Sequence, residues 1–133
     1  MNNFFSKKGL LIIGFFGTLI QVISKYNVDL GICSSYSSKC NDVAYILTVY
    51  SWVFVPLFIF SLITYKLKQS TFDSWRKFSI WSIPLILIII TMLPLSTHGL
   101  DFVPVTKGTV VFFLTIAYSA LSLILIAYKS ITK

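Results

Sequence analysis

Four long apolar runs divide the chain, and the charged residues fall almost entirely between them. The runs extend over about residues 10–24, 43–65, 78–95 and 109–128, and none of them contains a charged side chain. Each is close to the roughly 20 residues that an α-helix needs to cross a hydrocarbon core of about 30 Å. The pattern predicts an all-α membrane protein, with one domain of four transmembrane helices in a bundle.

The overall composition supports a membrane environment. Of the 133 residues, 56% are hydrophobic and only 11% are charged, whereas about a quarter of the residues in a soluble domain are charged. A chain this apolar would expose large hydrophobic patches to water. We therefore expect the protein to reside in a lipid bilayer, which is one of its predicted partners.

The basic residues between the runs are unevenly distributed. Residues 1–9, 66–77 and 129–133 hold eight Lys and Arg residues and one Asp, whereas the other connections hold three Lys and three Asp. The whole formal net charge of +7 therefore lies on one side of the predicted bundle. Because cytoplasmic loops carry the excess of Lys and Arg, this side is predicted to be cytoplasmic, with both termini on it. Topology accounts for the basic balance, so we expect no nucleic-acid partner.

No small-x-small cleavage site follows the first run, so we interpret it as a retained span rather than a signal peptide.

Small residues occur on the first and fourth predicted spans. Small residues about one turn apart let a neighbouring helix approach closely. Glycine is also simply common in membrane helices, which is the alternative interpretation. The candidates for helix packing are Gly14, Gly17, Thr18, Ser119 and Ser122.

The two cysteines, Cys33 and Cys40, both lie in the connection between the first two spans, on the predicted external side. In an oxidising compartment they are candidates for one disulfide that closes a short loop, and free thiols are the alternative. Their C-x6-C spacing is neither the redox C-x-x-C motif nor a zinc signature.

In the second span, Pro56 removes a backbone donor and is expected to kink the helix.

The cytoplasmic connection before the third span combines aromatic and basic residues. Phe72, Trp75 and Phe78 recur every three residues, with Arg76 and Lys77 between them. This spacing predicts a helix that begins in the membrane interface, packs its aromatic side into lipid and continues as the third span. Aromatic residues beside arginine are also favoured at protein interfaces. The same five residues are therefore candidates for docking a cytoplasmic partner.

The sequence offers few groups for chemistry. It contains no Glu, four Asp, one His and two Cys. Ser96, His98 and Asp101 share one loop, but closeness in sequence does not supply the geometry of a catalytic triad. Ligands for a metal are too few, and ion-coupled transport usually needs an ionisable residue inside the membrane. We expect no catalytic residues, no metal and no cofactor.

Residues 72–84 form an aromatic turn that runs into a span with an early proline, and a Pro-x-x-Lys loop (Pro104 to Lys107) precedes the last span. This pattern, over roughly the C-terminal half, resembles short four-span bacterial inner-membrane proteins of unknown function. The resemblance implies a bacterial inner-membrane setting and no known chemistry. Small four-span subunits also accompany soluble effectors in bacterial anti-phage systems such as Kiwa-type defence. That likeness is one of architecture and not of matched residues.

The sequence therefore favours a non-enzymatic, multi-pass subunit of the bacterial inner membrane. We expect it to oligomerise, or to anchor or sense for a protein partner at the cytoplasmic face, in a defence or envelope complex. A pore-forming, holin-like protein is the first alternative, motivated by the small size and the uncharged spans. A small channel lined by Ser and Thr side chains is the second. A membrane enzyme would require a role for His98 or Asp101.

Overall fold

The computed structural model describes residues 6–93 and 106–132. Within them the chain forms five α-helices and no strand: α1 (Lys7–Lys25), α2 (Ser38–Ser51), α3 (Phe54–Tyr65), α4 (Gln69–Met92) and α5 (Lys107–Ile131). Helices α2 and α3 follow one another as a single 28-residue segment, Ser38–Tyr65. That segment and the helices α1, α4 and α5 are each long and apolar enough to cross a membrane. The predicted all-α fold with four spans is confirmed.

The second span is interrupted where the sequence predicts a kink. Pro56 has no backbone N–H to donate to the Trp52 carbonyl, and its ring would collide with that carbonyl in a regular helix. Instead, the N–H of Val55 donates to the Trp52 oxygen at 3.2 Å, a tighter turn. The helix therefore ends at Ser51 and restarts at Phe54. Pro84, in contrast, lies inside α4, which continues through it.

Most helices extend beyond the apolar runs. Helix α1 starts at Lys7 because the Ser6 hydroxyl caps it, accepting the Gly9 N–H at 3.1 Å. Helix α2 starts at Ser38, inside the connection that the sequence assigns to a loop. Helix α4 starts at Gln69 and is continuous with the third span, as predicted. The predicted end of that span, at residue 95, lies outside the described residues.

The helices pack as two pairs. The first pair consists of α1 and the span formed by α2 and α3, which lie along each other. The second pair consists of α4 and α5. A core of buried apolar side chains fills the space between and within the pairs, including Val53, Leu57 and Ile90. The outward faces carry large apolar side chains such as Phe16, Trp81 and Ile124. Outward apolar side chains are what a helix surface in contact with lipid requires.

Candidate functional site

The basic end of the bundle is the end at which α1 and α4 begin and α3 and α5 end. Lys7, in the first turn of α1, reaches across to the carboxyl end of α3. Its Nζ donates to the Leu67 carbonyl at 2.7 Å and to the Tyr65 carbonyl at 3.4 Å. A helix leaves its last carbonyls without intrahelical donors, and its carboxyl end is the negative end of its dipole. Lys7 therefore ties α1 to the end of α3.

Two cations lie near the Phe72 ring at this end. The Lys7 Nζ is 5.6 Å from the ring centroid and the Arg76 guanidinium carbon is 5.8 Å from it. Both distances are within the range in which a cation is attracted to an aromatic face. Arg76 also pairs with Asp73, N to O 3.3 Å, and the Gln69 amide donates to the same carboxylate at 3.2 Å. The result is a connected group of charged and aromatic side chains from α1 and α4.

This group borders an open cleft of about 630 Å³. Its lining comes from the starts of α1 and α4 and the end of α3 and consists of Ser6, Lys7, Lys8, Tyr65, Gln69 and Arg76. Lys8 is exposed, whereas Lys7 and Arg76 are half-buried. The cleft is thus cationic, which suits an anionic group.

The expected lipid-facing orientation of the aromatic side of this turn is wrong for two of its residues. Phe72 and Trp75 are 1% and 0% exposed and lie in the core of the bundle. Their side chains are therefore enclosed by the rest of the bundle. Arg76 and Phe78 are half-buried and Lys77 is exposed, so these three members of the predicted docking surface reach the outside.

The reason for the inward orientation is a set of polar partners on α5. The indole N–H of Trp75 donates to the Ser122 hydroxyl at 3.3 Å. One turn along, the hydroxyls of Ser79 and Tyr118 are 2.8 Å apart and share a hydrogen bond. In a bilayer, a polar atom that faced lipid would have no partner, so these groups turn toward each other. Sequence reasoning missed Ser79 and Tyr118, although their polarity inside apolar runs was the available signal.

Tyr118 also connects the aromatic side chains of three helices. Its ring is stacked on that of Phe78, with centroids 5.7 Å apart and planes 7° apart. The Phe60 ring from α3 is also near it, in an edge-to-face arrangement with centroids 6.4 Å apart. We call the hydrogen-bonded side chains between α4 and α5 the polar seam; it consists of Trp75, Ser79, Tyr118 and Ser122.

The small residues of α1 lie against α3. A Cβ added to Gly14 would be 2.8 Å from the Phe58 Cα, and one added to Gly17 would be less than 2.5 Å from the Phe54 side chain. The Thr18 hydroxyl is 2.8 Å from the Gly14 carbonyl of its own helix and 3.3 Å from the Phe54 carbonyl of α3. On α5, the hydroxyl of Ser119 donates to the Thr115 carbonyl of the same helix at 2.8 Å. The structure thus brings Gly14, Gly17, Thr18 and Ser122 to helix contacts and leaves Ser119 bonded within α5.

At the opposite end, Cys33 and Cys40 lie at disulfide distance, with Cα atoms 5.7 Å apart. Cys33 is in the α1–α2 connection and is buried, and Cys40 is in the first turn of α2. Gly31, with φ +71°, provides the left-handed backbone that the turn before Cys33 requires. The Tyr50 hydroxyl, also toward this end, donates to Thr91 of α4 at 3.2 Å, and Lys107 lies over the Tyr50 ring. These contacts hold the second end of the bundle together.

Part of the interior of a single bundle is filled by apolar side chains, beside buried polar ones such as Ser61 and Ser122. Val53 and Ile90 are 0% exposed and Leu57 is 1% exposed. A path for ions or solutes along the axis of one copy would have to cross them. The pore and channel alternatives stay hypotheses.

The residues considered for chemistry, Ser96, His98 and Asp101, lie outside the described residues. Within residues 6–93 and 106–132, no group of three or more His, Cys, Asp or Glu side chains is placed to hold a metal ion. Comparison with known proteins adds no assignment: the chain matches no protein-family model, no curated protein and no solved structure. The resemblance to four-span bacterial proteins stays a prediction.

Proposed function

We propose that this chain is a non-enzymatic subunit of the bacterial inner membrane that holds an acidic protein partner at the cytoplasmic face. In this proposal the basic end is cytoplasmic and provides the contact. The observation that carries it is the exposed set of cations at that end: Lys8, Lys66, Lys68, Lys77 and Lys129. Exposed charges of one sign attract a partner of the opposite sign and orient its approach.

The buried position of Phe72 and Trp75 changes the nature of this contact. Aromatic anchors usually contribute most of the energy of a protein interface, and here they are committed to the core of the bundle. Recognition through the basic end therefore depends mainly on charge. We expect the complex to weaken as salt is raised, because exposed charges are screened over about 8 Å at physiological ionic strength.

The test is a comparison of two triple variants in native membranes. In the first, Lys66, Lys68 and Lys77 are changed to Gln, which removes three exposed charges from the basic end. In the second, Lys25, Lys39 and Lys107 are changed to Gln, which removes the same charge from the opposite end. Each variant is extracted in mild detergent, and the size of its complex is measured by light scattering alongside the wild type.

We expect the wild type and the second variant to retain a complex with an acidic protein, and the first variant to lose it. Equal retention by both variants would mean that the basic end does not hold the partner. A wild type that is extracted alone or only as copies of itself at every salt concentration would also contradict the proposal. The latter outcome would favour the oligomeric or pore-forming alternatives.

A further inference from the structure

A groove runs between α1 and α4, starting at the basic end. The two helices begin at the same end and run in the same direction, yet they make few contacts with each other, because α1 packs on α2 and α3 and α4 packs on α5. At the mouth of the groove lies the cationic cleft with Lys7, Lys8 and Arg76. The groove is therefore open where the charged residues are.

An apolar crevice of about 220 Å³ continues the groove toward the middle of the bundle. Leu10 and Ile13 line it from α1, and Ile80 and Ile83 line it from α4. Leu10 follows Lys7 by three residues and Ile80 follows Arg76 by four, which is about one helical turn in each case. The charged cleft and the apolar crevice thus lie on adjacent turns of the same two helices, with Phe54 and Leu57 of α3 also lining the crevice. Their order is that of a phospholipid's head and tail.

The charge at the mouth of the groove calls for an anion. Lys7, Lys8 and Arg76 are accompanied by one carboxylate, that of Asp73, which leaves two positive charges in excess. The first turn of α1 also contains two lysines and no acidic residue. That turn is the positive end of the helix dipole, where an anion is favoured and a cation is not. Lys7 donates to a carbonyl at the end of α3, whereas Lys8 is exposed at the rim of the cleft.

We propose that this groove binds one anionic phospholipid. Its phosphate lies among Lys7, Lys8 and Arg76, and one acyl chain enters the crevice against Leu10, Ile13, Ile80 and Ile83. Basic pockets between transmembrane helices on the cytoplasmic side are suited to anionic head groups. A zwitterionic lipid brings its own cation to an already cationic cleft, and a free phosphate leaves the crevice unfilled. The site does not depend on the protein partner proposed above.

The first experiment measures lipid retention by native mass spectrometry. The purified chain is incubated with equal amounts of phosphatidylglycerol and phosphatidylcholine in mild detergent, and the bound lipid is identified after transfer to the gas phase. We expect one phosphatidylglycerol per chain. The double change Lys8→Gln with Arg76→Gln should raise the Kd for phosphatidylglycerol by roughly thirtyfold. Each of the two residues contributes roughly a fivefold part of this, because each loses its attraction to the anionic head group.

The matched control removes two other charges from the same end. Lys77→Gln with Lys129→Gln has the same net charge as the first variant, but neither residue lines the groove. It should retain phosphatidylglycerol close to the wild-type level. Equal losses in the two double variants would mean a diffuse charge effect and would overturn the site. If the first variant does not fold, Lys8→Gln alone, at the exposed rim, should still raise the Kd by roughly fivefold.

The second experiment tests the acyl chain. Ile13→Trp fills the crevice, whereas Ile12→Trp places the same ring on the outer face of α1, where Ile12 is 52% exposed. We expect only the first to lower phosphatidylglycerol retention. Displacement of the lipid by millimolar inorganic phosphate would show an anion site without a tail, and equal retention of phosphatidylcholine would show annular lipid. Either result would overturn the proposal.

Discussion

The two helix pairs of this bundle are held together in different ways. In the first pair, Gly14 and Gly17 let the backbone of α1 approach α3 so closely that no Cβ would fit without a shift. In the second pair, α4 and α5 are joined by side chains that share hydrogen bonds and stack, centred on Trp75 and Tyr118. The first contact is closest at two glycines, and the second depends on polar and aromatic side chains from both helices.

The difference reflects the solvent. Lipid tails are as apolar as a leucine side chain, so burial of apolar surface does little to bring two membrane helices together. Close packing of backbones and interhelical hydrogen bonds are the terms that remain. The first pair uses mainly the former, assisted by the Thr18 hydroxyl near the Phe54 carbonyl, and the second pair uses mainly the latter. The two pairs should therefore respond to different substitutions.

The largest loss in the free energy of unfolding is expected for Trp75→Ala, in the second pair. Trp75 is fully buried, and its removal leaves a cavity next to Phe72 and deprives Ser122 of its donor. Because little of this loss comes from exposing apolar surface to water, we expect the low end of the range for a buried large aromatic side chain, about 3 kcal/mol of folding free energy. The free energy of unfolding is measured in mixed micelles by titration with a denaturing detergent, followed by far-ultraviolet circular dichroism.

Trp81→Ala is the matched control for this prediction. Trp81 is on the same helix but 81% exposed on the outer face, so its removal should change the stability by about 0.5 kcal/mol or less. A similar loss for the two variants would mean that Trp75 is not a core residue. A stable Trp75→Ala chain that lost only a binding partner would restore the docking role that the sequence suggested for this residue.

The next effect in size concerns the first pair. Gly14→Ala places a methyl group 2.8 Å from the Phe58 Cα, which is backbone and cannot rotate away. Overpacking of this kind costs about 1–3 kcal/mol, and we expect the same detergent titration to show it. Gly17→Ala should cost at least as much, because its methyl group would lie less than 2.5 Å from the Cβ and Cγ of Phe54, which the backbone of α3 holds in place. A Gly14→Ala chain as stable as the wild type would show that the close approach is not required.

Hydropathy was sufficient to predict the spans but not their inner faces. An apolar run of about 20 residues is long enough to cross the membrane whichever way its side chains point, so the four spans and the break at Pro56 follow from sequence. The core and the lipid are both apolar, however, and Phe72 and Trp75 are compatible with either. What distinguishes the two faces is the position of the few polar groups, because these are satisfied only inside the bundle.

The same argument explains which details of the site were missed. The charges of Lys7 and Arg76 are visible in the sequence, but their meeting at the Phe72 ring depends on α1 ending up beside α4. That placement is long-range, because 43 residues, 26–68, lie between the end of α1 and the start of α4. No local pattern encodes it. The cleft and the groove behind it therefore could be recognised only once the packing of the two pairs was known.

The smallest predicted effect isolates one hydrogen bond of the polar seam. Tyr118→Phe and Ser79→Ala each remove one partner of the 2.8 Å contact between their hydroxyls, and the double variant removes both. Interhelical hydrogen bonds in membrane proteins contribute on average about 0.6 kcal/mol and at most about 1.7 kcal/mol. The coupling free energy from the double-mutant cycle should fall in that range. The matched cycle pairs Tyr118→Phe with Ser119→Ala, whose hydroxyl bonds only within α5, and it should give a coupling near zero. A coupling near zero in both cycles would mean that stacking on Phe78, rather than hydrogen bonding, joins the second pair, and the contrast between the pairs would then be one of ring packing against backbone packing.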